Sequence, residues 1–343
     1  DKKQTLPVLS NVLIRCNSDS VQLKSTDLEV ELEVTLTSPI ITKPAEITIP
    51  AKKISDIVKE LPEGPLSFEL NSDATKMVVK SSSGKYNLST IPATDFPDFD
   101  IEKSENFYEV DSEGLLSLIG KTSFAMANQD WRHYLNGCYI EKSLNALKMV
   151  ATDAHRLAIY QLVLEGEGDF KGIIPRKTVI EIMRILPKKE TIKFYLNTSN
   201  IVFMSKNFTF KSKLIDGNYP NYNQVVPSGD GIEIRTNRKD LLDSLSRVSV
   251  LSNDKFKGVK LTANSNYLDV TAHNPEQESA EEKLQLKSSV SGFDVAFNVN
   301  YLREILSTID DEDISIVSYG PDKSAAILSS DQNQTLVLMP LLL

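Results

Sequence analysis

One amphipathic helix pattern occurs three times in the chain at nearly constant spacing. The segment 175–186, PRKTVIEIMRIL, opens with a proline that suits a first helical turn, where the missing N–H is not needed. Its apolar residues fall at i, i+3, i+4 and i+7, which is one face of an α-helix: Val179, Ile182, Met183 and Leu186. Segments 50–61 and 298–309 repeat this face, with Ile54, Ile57, Val58 and Leu61, then Leu302, Ile305, Leu306 and Ile309. Since 125 residues separate Ile54 from Val179 and 123 separate Val179 from Leu302, the chain is predicted to be a tandem triplication.

The repeats share further elements. A second helix precedes the first kind in two of them, at 112–122 after a possible Ser112 cap and at 238–248 after Asn237. Strand pairs around a turn and then runs of alternating β-rich sequence complete each repeat, which predicts half-buried antiparallel sheets covered on one side by helices. The fold class is therefore α+β. Linker-like stretches rich in Pro, Asn, Asp and Gly divide the chain into domains 1–104, 105–229 and 230–343.

The first repeat begins at the loop that follows the second kind of helix. Compared with 107–128, about 20 residues that would form a strand and a helix have no counterpart before it. A domain without one of its two covering helices would expose apolar surface, so we expect this strand and helix to precede the given sequence.

Composition limits the class of protein. The 343 residues are 41% hydrophobic and 25% charged, as in soluble globular proteins, and no apolar run reaches the length of a membrane span. The start of the sequence does not resemble a signal peptide. Two cysteines, Cys16 and Cys138, are too few for a disulfide scaffold and suit a reducing cytosol, so a cytoplasmic location without membrane contact is expected.

The net charge of −9 argues at first against a nucleic-acid partner, because phosphate-binding proteins are usually basic. The predicted helices 51–61, 112–122, 176–186, 238–248 and 300–309 carry +1, 0, +2, +1 and 0, which leaves −13 for the rest of the chain. An acidic body with weakly basic helices can still present a positive surface locally. Ordinary solvated faces of mixed charge explain the same distribution.

Catalytic equipment is sparse. The three histidines have no metal-ligand spacing, and the sequence contains no glycine-rich phosphate loop and no G-x-S-x-G nucleophile motif. Asp153 and His155 lie two residues apart at a strand end and fit a hydrolase-like acid–base pair. Because Thr26 and Asp27 occupy the same place in the first repeat, we favour a structural turn whose Thr and Asp side chains bond the local backbone.

The chain resembles the bacterial DNA polymerase III beta subunit family, the replicative sliding clamps, over nearly its whole length. The segments that carry the resemblance are TLPVLSNV (5–12), TDLEVEL (26–32), IPAKKISDIVKELPEG (49–64), YNLSTIPATDFPDFD (86–100), FAMANQDWRHYLNG (124–137), ATDAHRLA (151–158), KLIDGNYPNY (213–222), LSNDKFKGVKL (251–261), TAHNPEQESAEE (271–282) and VLMP (337–340).

This resemblance implies a head-to-tail homodimer in which six similar domains form a ring around double-stranded DNA. Weak phosphate contacts would let such a ring slide without reading sequence. It also implies a non-catalytic subunit without cofactor or metal, whose partners are the DNA polymerase III catalytic subunit, the clamp loader, other polymerases and repair factors. The residues implied in DNA contact are Lys3, Lys52, Gln129, Arg132, His133, Tyr134, Arg176 and Lys177.

The resemblance further implies a pocket between the second and third domains that binds short partner peptides, with apolar walls and a few polar groups. Its residues are Leu135, Thr152, Ala154, His155, Arg156, Leu157, Pro220, Val225, Phe256, Asn298, Tyr301, Ser324, Val337, Met339, Pro340 and Leu341, of which Leu157 and Val225 also fit a plain core. Ala154 stands where the family often has Gly, Gln224 where a basic residue can occur, and the end Leu341-Leu342-Leu343 lacks the common Arg.

The dimer contact is expected where the edge strand of domain 1 meets domain 3 of a second copy. Its residues are Lys85, Tyr86, Leu88, Val250, Leu251, Glu276 and Glu278. Two hypotheses of other classes remain beside the clamp: the hydrolase with Asp153 and His155, and a repeat scaffold that binds peptides but not DNA.

Overall fold

The computed structural model describes residues 6–37, 39–99, 101, 104, 106–320 and 323–342. The α-helices in these residues are α1 (Ala51–Glu60), α2 (Ser112–Gly120), α3 (Arg176–Ile185), α4 (Arg238–Val248) and α5 (Val299–Ser307). The strands of the first repeat are β1 (Asn11–Cys16), β2 (Ser20–Thr26), β3 (Val30–Thr37), β4 (Ala45–Pro50), β5 (Ser67–Leu70), β6 (Lys76–Lys80) and β7 (Lys85–Ser89).

The second repeat contains β8 (Tyr108–Asp111), β9 (Gly137–Ser143), β10 (Ala146–Thr152), β11 (Arg156–Val163), β12 (Phe170–Pro175), β13 (Thr191–Leu196), β14 (Asn200–Met204) and β15 (Phe208–Lys213). The third contains β16 (Ile232–Asn237), β17 (Gly258–His273), β18 (Ser279–Asn298), β19 (Asp313–Ser318), β20 (Ala325–Leu328) and β21 (Gln334–Leu338). We call β1–β4, β9–β12 and β17–β18 the opening strands, and β5–β7, β13–β15 and β19–β21 the closing strands.

The first compact unit consists of Asp1–Val110 and Glu190–Leu214. It contains an eight-stranded sheet in the order β4-β1-β2-β3-β15-β14-β13-β8 and a separate three-stranded sheet, β5-β6-β7. One core cluster joins Ile14, Ile47 and Ile49 of the larger sheet to Met77, Val79 and Leu88 of the smaller one, and Ile54 and Ile57 of α1 pack against it. Helix α1 thus uses its predicted apolar face to cover this core.

The second compact unit consists of Asp111–Lys189 and Ile215–Leu343. Its eight-stranded sheet has the order β12-β9-β10-β11-β21-β20-β19-β16, and β17 pairs with β18 in a two-stranded sheet. Helices α2 to α5 belong to this unit, and each buries an apolar stripe, with Leu118, Val179, Leu245 and Leu302 almost completely enclosed. The sequence period therefore identified the buried side of these helices.

Three details of the predicted helices are wrong. Pro175 ends β12 and caps α3 from outside, so it is not in the first helical turn. Asp111 caps α2 by accepting a bond from Gly114 N, and Ser112 is already helical. Val58 and Met183 are 41% and 39% exposed, because the apolar face of these two helices is narrower than the i+4 pattern implies.

The sheets are shared between consecutive repeats, which the strand pattern did not predict. Closing strand β15 of the second repeat pairs antiparallel with opening strand β3 of the first, and β21 pairs with β11 in the same way. Alternation of polar and apolar residues specifies the faces of a strand but not its neighbours, so this exchange could not be predicted from the strand pattern. Each eight-stranded sheet therefore contains strands from two repeats.

The two shared sheets differ at one equivalent position. Leu157 of β11 lies opposite Val337 of β21, whereas Glu31 of β3 lies opposite Lys211 of β15. The Glu31 side chain is fully buried, with Lys211 Nζ at 2.8 Å from Oε1 and Lys24 Nζ at 3.5 Å from Oε2. The first unit therefore carries a buried ion pair where the second unit has an apolar contact.

Candidate functional site

The turn between β10 and β11 is built by its own side chains. Thr152 Oγ1 donates to Arg156 O at 2.6 Å, and Asp153 Oδ1 accepts from His155 N at 2.9 Å and from Arg156 N at 3.1 Å. The equivalent turn of the first repeat makes the same bonds, with Thr26 donating to Val30 O and Asp27 accepting from Val30 N. The prediction of a repeated structural turn is confirmed.

Ala154, in the middle of this turn, has a φ of +75°, a conformation that costs an L-residue with a Cβ roughly 1–2 kcal/mol. We expect Ala154→Gly to raise the free energy of unfolding by about 0.5–1 kcal/mol, measured as a higher Tm. Ala158→Gly is the matched control, because Ala158 is buried in β11 and its loss should lower the Tm. A Tm for Ala154→Gly at or below that of the parent would contradict this expectation.

Arg156 is the centre of the site. Its guanidinium carbon lies 4.3 Å from the ring centroid of Tyr301 and 5.2 Å from that of Phe124. Arg156 Nε donates to Asp153 Oδ2 at 3.2 Å, Nη1 to Glu304, and Nη2 to the Phe124 carbonyl at 2.7 Å. Two carboxylates, one carbonyl and two aromatic rings therefore hold this buried cation, and with it the orientation of Tyr301.

Three elements meet at the rim of the site. The imidazole of His155 stacks on the ring of Tyr301 with centroids 6.2 Å apart, and His155 O accepts from Met339 N at 2.8 Å. Asn298 Oδ1 caps α5 by accepting from Asn300 N and Tyr301 N. The β10–β11 turn, the chain after β21 and the start of α5 are thus brought together.

One wall of the site is aromatic. Tyr219 stacks on Tyr139 with ring centroids 4.8 Å apart, and the Tyr222 hydroxyl donates to Glu141. Burial raises the pKa of Tyr139 to about 12, and burial together with the Glu141 carboxylate raises the pKa of Tyr222 further. These phenols stay protonated at neutral pH, so the segment that carries Pro220 and Val225 is fixed by neutral groups.

The predicted pocket residues separate into surface and core. Leu135, Leu157 and Val337 are each 2% exposed, so their side chains do not reach the surface. Leu157 and Val337 belong to a core cluster with Val150, Ile159 and Tyr222. The residues that reach the surface are Ala154, His155, Pro220, Val225, Phe256 and Met339. Half-buried positions are Thr152, Asn298, Tyr301, Ser324, Pro340 and Leu341, while Arg156 is buried. The Val225 side chain is exposed, so it is not part of the plain core.

A cavity of about 230 Å³ in the third repeat is distinct from most of this surface. It is lined by Asn253, Phe256, Gly258, and the run 271–275. Phe256 is the member that it shares with the predicted pocket residues. The assignment of the surface around Tyr301 and Met339 rests on its contacts and exposure.

The residues expected to contact DNA lie on two elements that adjoin each other and on α1. Gln129, Arg132, His133 and Tyr134 belong to the loop before β9, and Arg176 N at the start of α3 donates to Asn136 O of that loop at 3.0 Å. Gln129 and His133 are exposed, Arg132, Tyr134, Arg176 and Lys177 half-buried, and Lys52 is exposed on α1 in the first unit. Lys3 lies outside the described residues.

Sequence reasoning missed a large exposed aromatic side chain in this loop. Trp131 is 83% exposed, and Asp130 binds Arg132 beside it at 2.9 and 3.0 Å. The available signal was the presence of the single tryptophan of the chain in a polar loop.

The residues expected at the dimer contact have mixed environments. Lys85, Glu276 and Glu278 are exposed, Tyr86 and Leu251 half-buried, and Val250 is exposed to 78%. Leu88 is different, because it is 5% exposed and part of the core cluster under α1. Its side chain anchors β7 to its own unit, and its part in the dimer contact stays a prediction.

Two further properties bear on the site. Within the described residues, His, Cys, Asp and Glu side chains form no group of three that could hold a metal ion. The helices of the same part of the chain are all too short or too polar to cross a membrane.

The comparison with known families and proteins identifies the relatives of the chain. Models of the DNA polymerase III beta subunit match it in order, the N-terminal domain at residues 1–100, the central domain at 109–221 and the C-terminal domain at 223–342. The beta sliding clamp of Pseudomonas putida is 38% identical over 347 residues, covering 99% of this chain and 94% of that protein. The chain belongs to the DNA polymerase III beta subunit family. It has the three-domain fold of the beta sliding clamps.

Other beta sliding clamps agree in sequence and structure. The Escherichia coli clamp is 36% identical over 344 residues, covering 99% of this chain and 93% of that protein. The Pseudomonas aeruginosa clamp solved with griselimycin superposes with a TM-score of 0.96 at 36% identity, covering 100% of this chain and 94% of that one. The Bacillus subtilis clamp, at 24% identity, shares the fold with a TM-score of 0.94 over 100% of this chain and 94% of its own.

Beta sliding clamps are non-catalytic processivity factors of DNA polymerase. The hydrolase hypothesis is therefore wrong. The Asp153 carboxylate instead organises the turn and binds Arg156.

Proposed function

We propose that this beta sliding clamp closes as a homodimer around double-stranded DNA and tethers DNA polymerase through the surface around Arg156 and Tyr301. In this proposal, domains 1–104, 105–229 and 230–343 are the repeating units. The protein is located in the cytoplasm. The observation that carries the ring is the sharing of sheets between repeats, with β15 on β3 and β21 on β11.

In each shared sheet, a closing strand of one repeat pairs with an opening strand of the repeat before it. Two strand edges lack such a neighbour. Among the described strands, β7 has β6 as its one hydrogen-bonded neighbour, and the first half of β18 has only β17. If the same pairing holds for every repeat, closing strand β7 should pair with an opening strand such as β18. The two strands are not paired with each other within one chain. A second copy supplies the missing neighbour at both edges, and a head-to-tail contact made twice closes the assembly.

The repeats also give the register of this contact. Leu88 and Phe210 are buried residues of β7 and β15, so we take these two positions as equivalent, and Phe210 pairs with Leu32. Leu32 lies one residue beyond the hairpin pair Thr26–Glu31, as Ala280 lies one residue beyond the hairpin pair His273–Ser279 of the third repeat. Leu88 should therefore lie opposite Ala280 of the second copy, and Asn87 opposite Glu281.

Disulfide trapping tests this register. In oxidising conditions, a chain with Asn87→Cys and Glu281→Cys should give a covalent dimer, because directly opposed residues on antiparallel strands have Cβ atoms about 4.5–5.5 Å apart. Asn87→Cys with Ser279→Cys is the matched control, shifted by two residues, and should crosslink far less. Sedimentation of the parent should give twice the 38.2 kDa chain mass. A monomer at micromolar concentration would refute the ring.

DNA retention tests the cationic residues. Substituting Lys52, Arg132 and Lys177 together by alanine should shorten the lifetime of the loaded clamp on nicked circular DNA and lower its salt dependence, because each lost phosphate contact reduces the slope by about 0.9. The matched control replaces Lys80, Lys193 and Lys239, which pair with surface carboxylates. An equal effect of both triple variants would contradict these DNA-contact assignments.

The chemistry of the surface around Arg156 and Tyr301 supports its role in binding partners. Exposed Met339, Val225 and the ring of Tyr301 offer apolar contact, while His155 and Asn298 offer polar groups at the rim, as a peptide anchor requires. We propose that the DNA polymerase III catalytic subunit, the clamp loader, other polymerases and repair factors dock there by short peptides. Griselimycin, found bound to the Pseudomonas aeruginosa clamp, should occupy the same surface.

A further inference from the structure

The loop before β9 contains a turn that its own polar groups make rigid. Asp130 N donates to Asn136 Oδ1 at 2.9 Å, and Asn136 Nδ2 donates back to Asp130 O at 2.8 Å. The Asp130 carboxylate accepts from Arg132 N at 2.8 Å and from its guanidinium at 3.0 and 2.9 Å. These bonds with Arg132 lower the pKa of Asp130 to about 2, so the carboxylate remains charged and the turn intact throughout the neutral range.

The residue at the centre of this turn is Trp131. Its indole is 83% exposed, although the chain on both sides is fixed by the bonds of Asp130 and Arg132. The Arg132 guanidinium carbon lies 5.7 Å from the centroid of the indole ring. A large aromatic surface held away from the protein on a rigid support loses little conformational entropy when a flat ligand stacks on it.

The helix that adjoins the Trp131 loop begins with two cationic residues. Asn136 of the same loop accepts from Arg176 N at the start of α3, and Lys177 follows directly. The segment 176–186 carries a net charge of +2 within a chain of −9. An aromatic platform beside cationic side chains is the arrangement with which proteins bind unpaired nucleotides, because the ring stacks on the base and the cations attract the phosphates.

We propose that Trp131 stacks on an unpaired base of single-stranded DNA, a contact that rests on the proposed function as a clamp. Paired bases already cover each other's faces, and inserting an indole between them would cost a few kcal/mol per step and hinder sliding. An unpaired base, such as one in template beyond a primer end, offers its face freely. The clamp thus has a sliding contact for duplex DNA and a stacking contact for single strands.

The intrinsic fluorescence of the protein tests the proposal directly, because Trp131 is the only tryptophan. At low salt, a 20-nucleotide oligothymidylate should quench this fluorescence, and a duplex of equal length should leave it nearly unchanged. Fluorescence anisotropy of the labelled oligothymidylate should show at least a fivefold loss of affinity for Trp131→Ala, since stacking on an aromatic side chain contributes about 1–3 kcal/mol per base. Trp131→Phe should retain part of the affinity.

Phe68→Ala is the matched control, because Phe68 is an exposed aromatic residue of β5 in the first unit and its loss should leave the affinity unchanged. Equal quenching by duplex and single strand would overturn the assignment to unpaired bases. Quenching by griselimycin or a polymerase peptide without quenching by oligothymidylate would make Trp131 a protein contact. Retention on nicked circular DNA separates the two proposals: a parent that is not retained refutes the clamp, whereas a retained parent without quenching refutes only the stacking contact.

Discussion

Replacing Glu31 by alanine should lower the free energy of unfolding of the first unit by about 3–5 kcal/mol, the usual loss when one member of a buried ion pair is removed. The substitution leaves the ammonium group of Lys211, and in part that of Lys24, without its buried counter-charge. In urea denaturation followed by circular dichroism, the first unfolding transition should have its midpoint at a lower urea concentration than in the parent. An unchanged midpoint would mean that water replaces the carboxylate without penalty.

The chain itself supplies the control for this experiment. The double variant Glu31→Leu with Lys211→Val installs the pair that the second unit has at the equivalent position, Leu157 opposite Val337. An apolar pair of this kind is often as stable as a buried ion pair or more so, so the double variant should recover most of the lost stability. If it is as unstable as Glu31→Ala, burial of charge is not the cause.

Replacing Arg156 by alanine should weaken griselimycin binding at least tenfold, measured by titration calorimetry. The guanidinium orients Tyr301 and neutralises Asp153 and Glu304, so its loss leaves both carboxylates without their cation. We also expect a stability loss of about 2–3 kcal/mol, because Arg156 is buried with all its partners inside one unit.

Two variants separate the local effect from a general one. Arg184→Ala removes an exposed arginine of α3 that pairs with Glu181, and it should change neither affinity nor Tm. Tyr301→Phe keeps the ring under Arg156 and should bind nearly as the parent does. Unchanged affinity in Arg156→Ala, with the fold intact, would place the binding surface elsewhere.

The sequence predicted what depends on local periodicity. The three copies of one helix, their buried positions Val179, Ile182 and Leu302 and the Asn237 cap are all confirmed, because a period of 3.6 and a capping side chain act within one element. The burial predicted for Val58 and Met183 is wrong, since the width of a buried face depends on the sheet beneath it. The sharing of sheets between repeats was not predicted, because alternation specifies the faces of a strand and not its neighbours.

The site residues were predicted from the family resemblance and not from periodicity. Resemblance to the family named Arg156, Tyr301 and Met339, and the structure brings their elements together. It also named Leu135, Leu157 and Val337, whose burial only the packing could reveal. Trp131 follows no period, and the turn that presents it depends on the bonds of Asp130, so the single tryptophan in a polar loop was the one available signal.

The ion pair of Glu31 has a consequence for how a triplicated chain assembles correctly. Its two shared sheets pair closing and opening strands on one plan, so a newly made chain risks joining a closing strand to the wrong opening strand. Opposite Val337, Glu31 would be buried without a counter-charge, and opposite Leu157, Lys211 would lack its carboxylate partner. The ion pair of Glu31 and Lys211 thus favours the pairing of β15 with β3 over the other possible strand pairings.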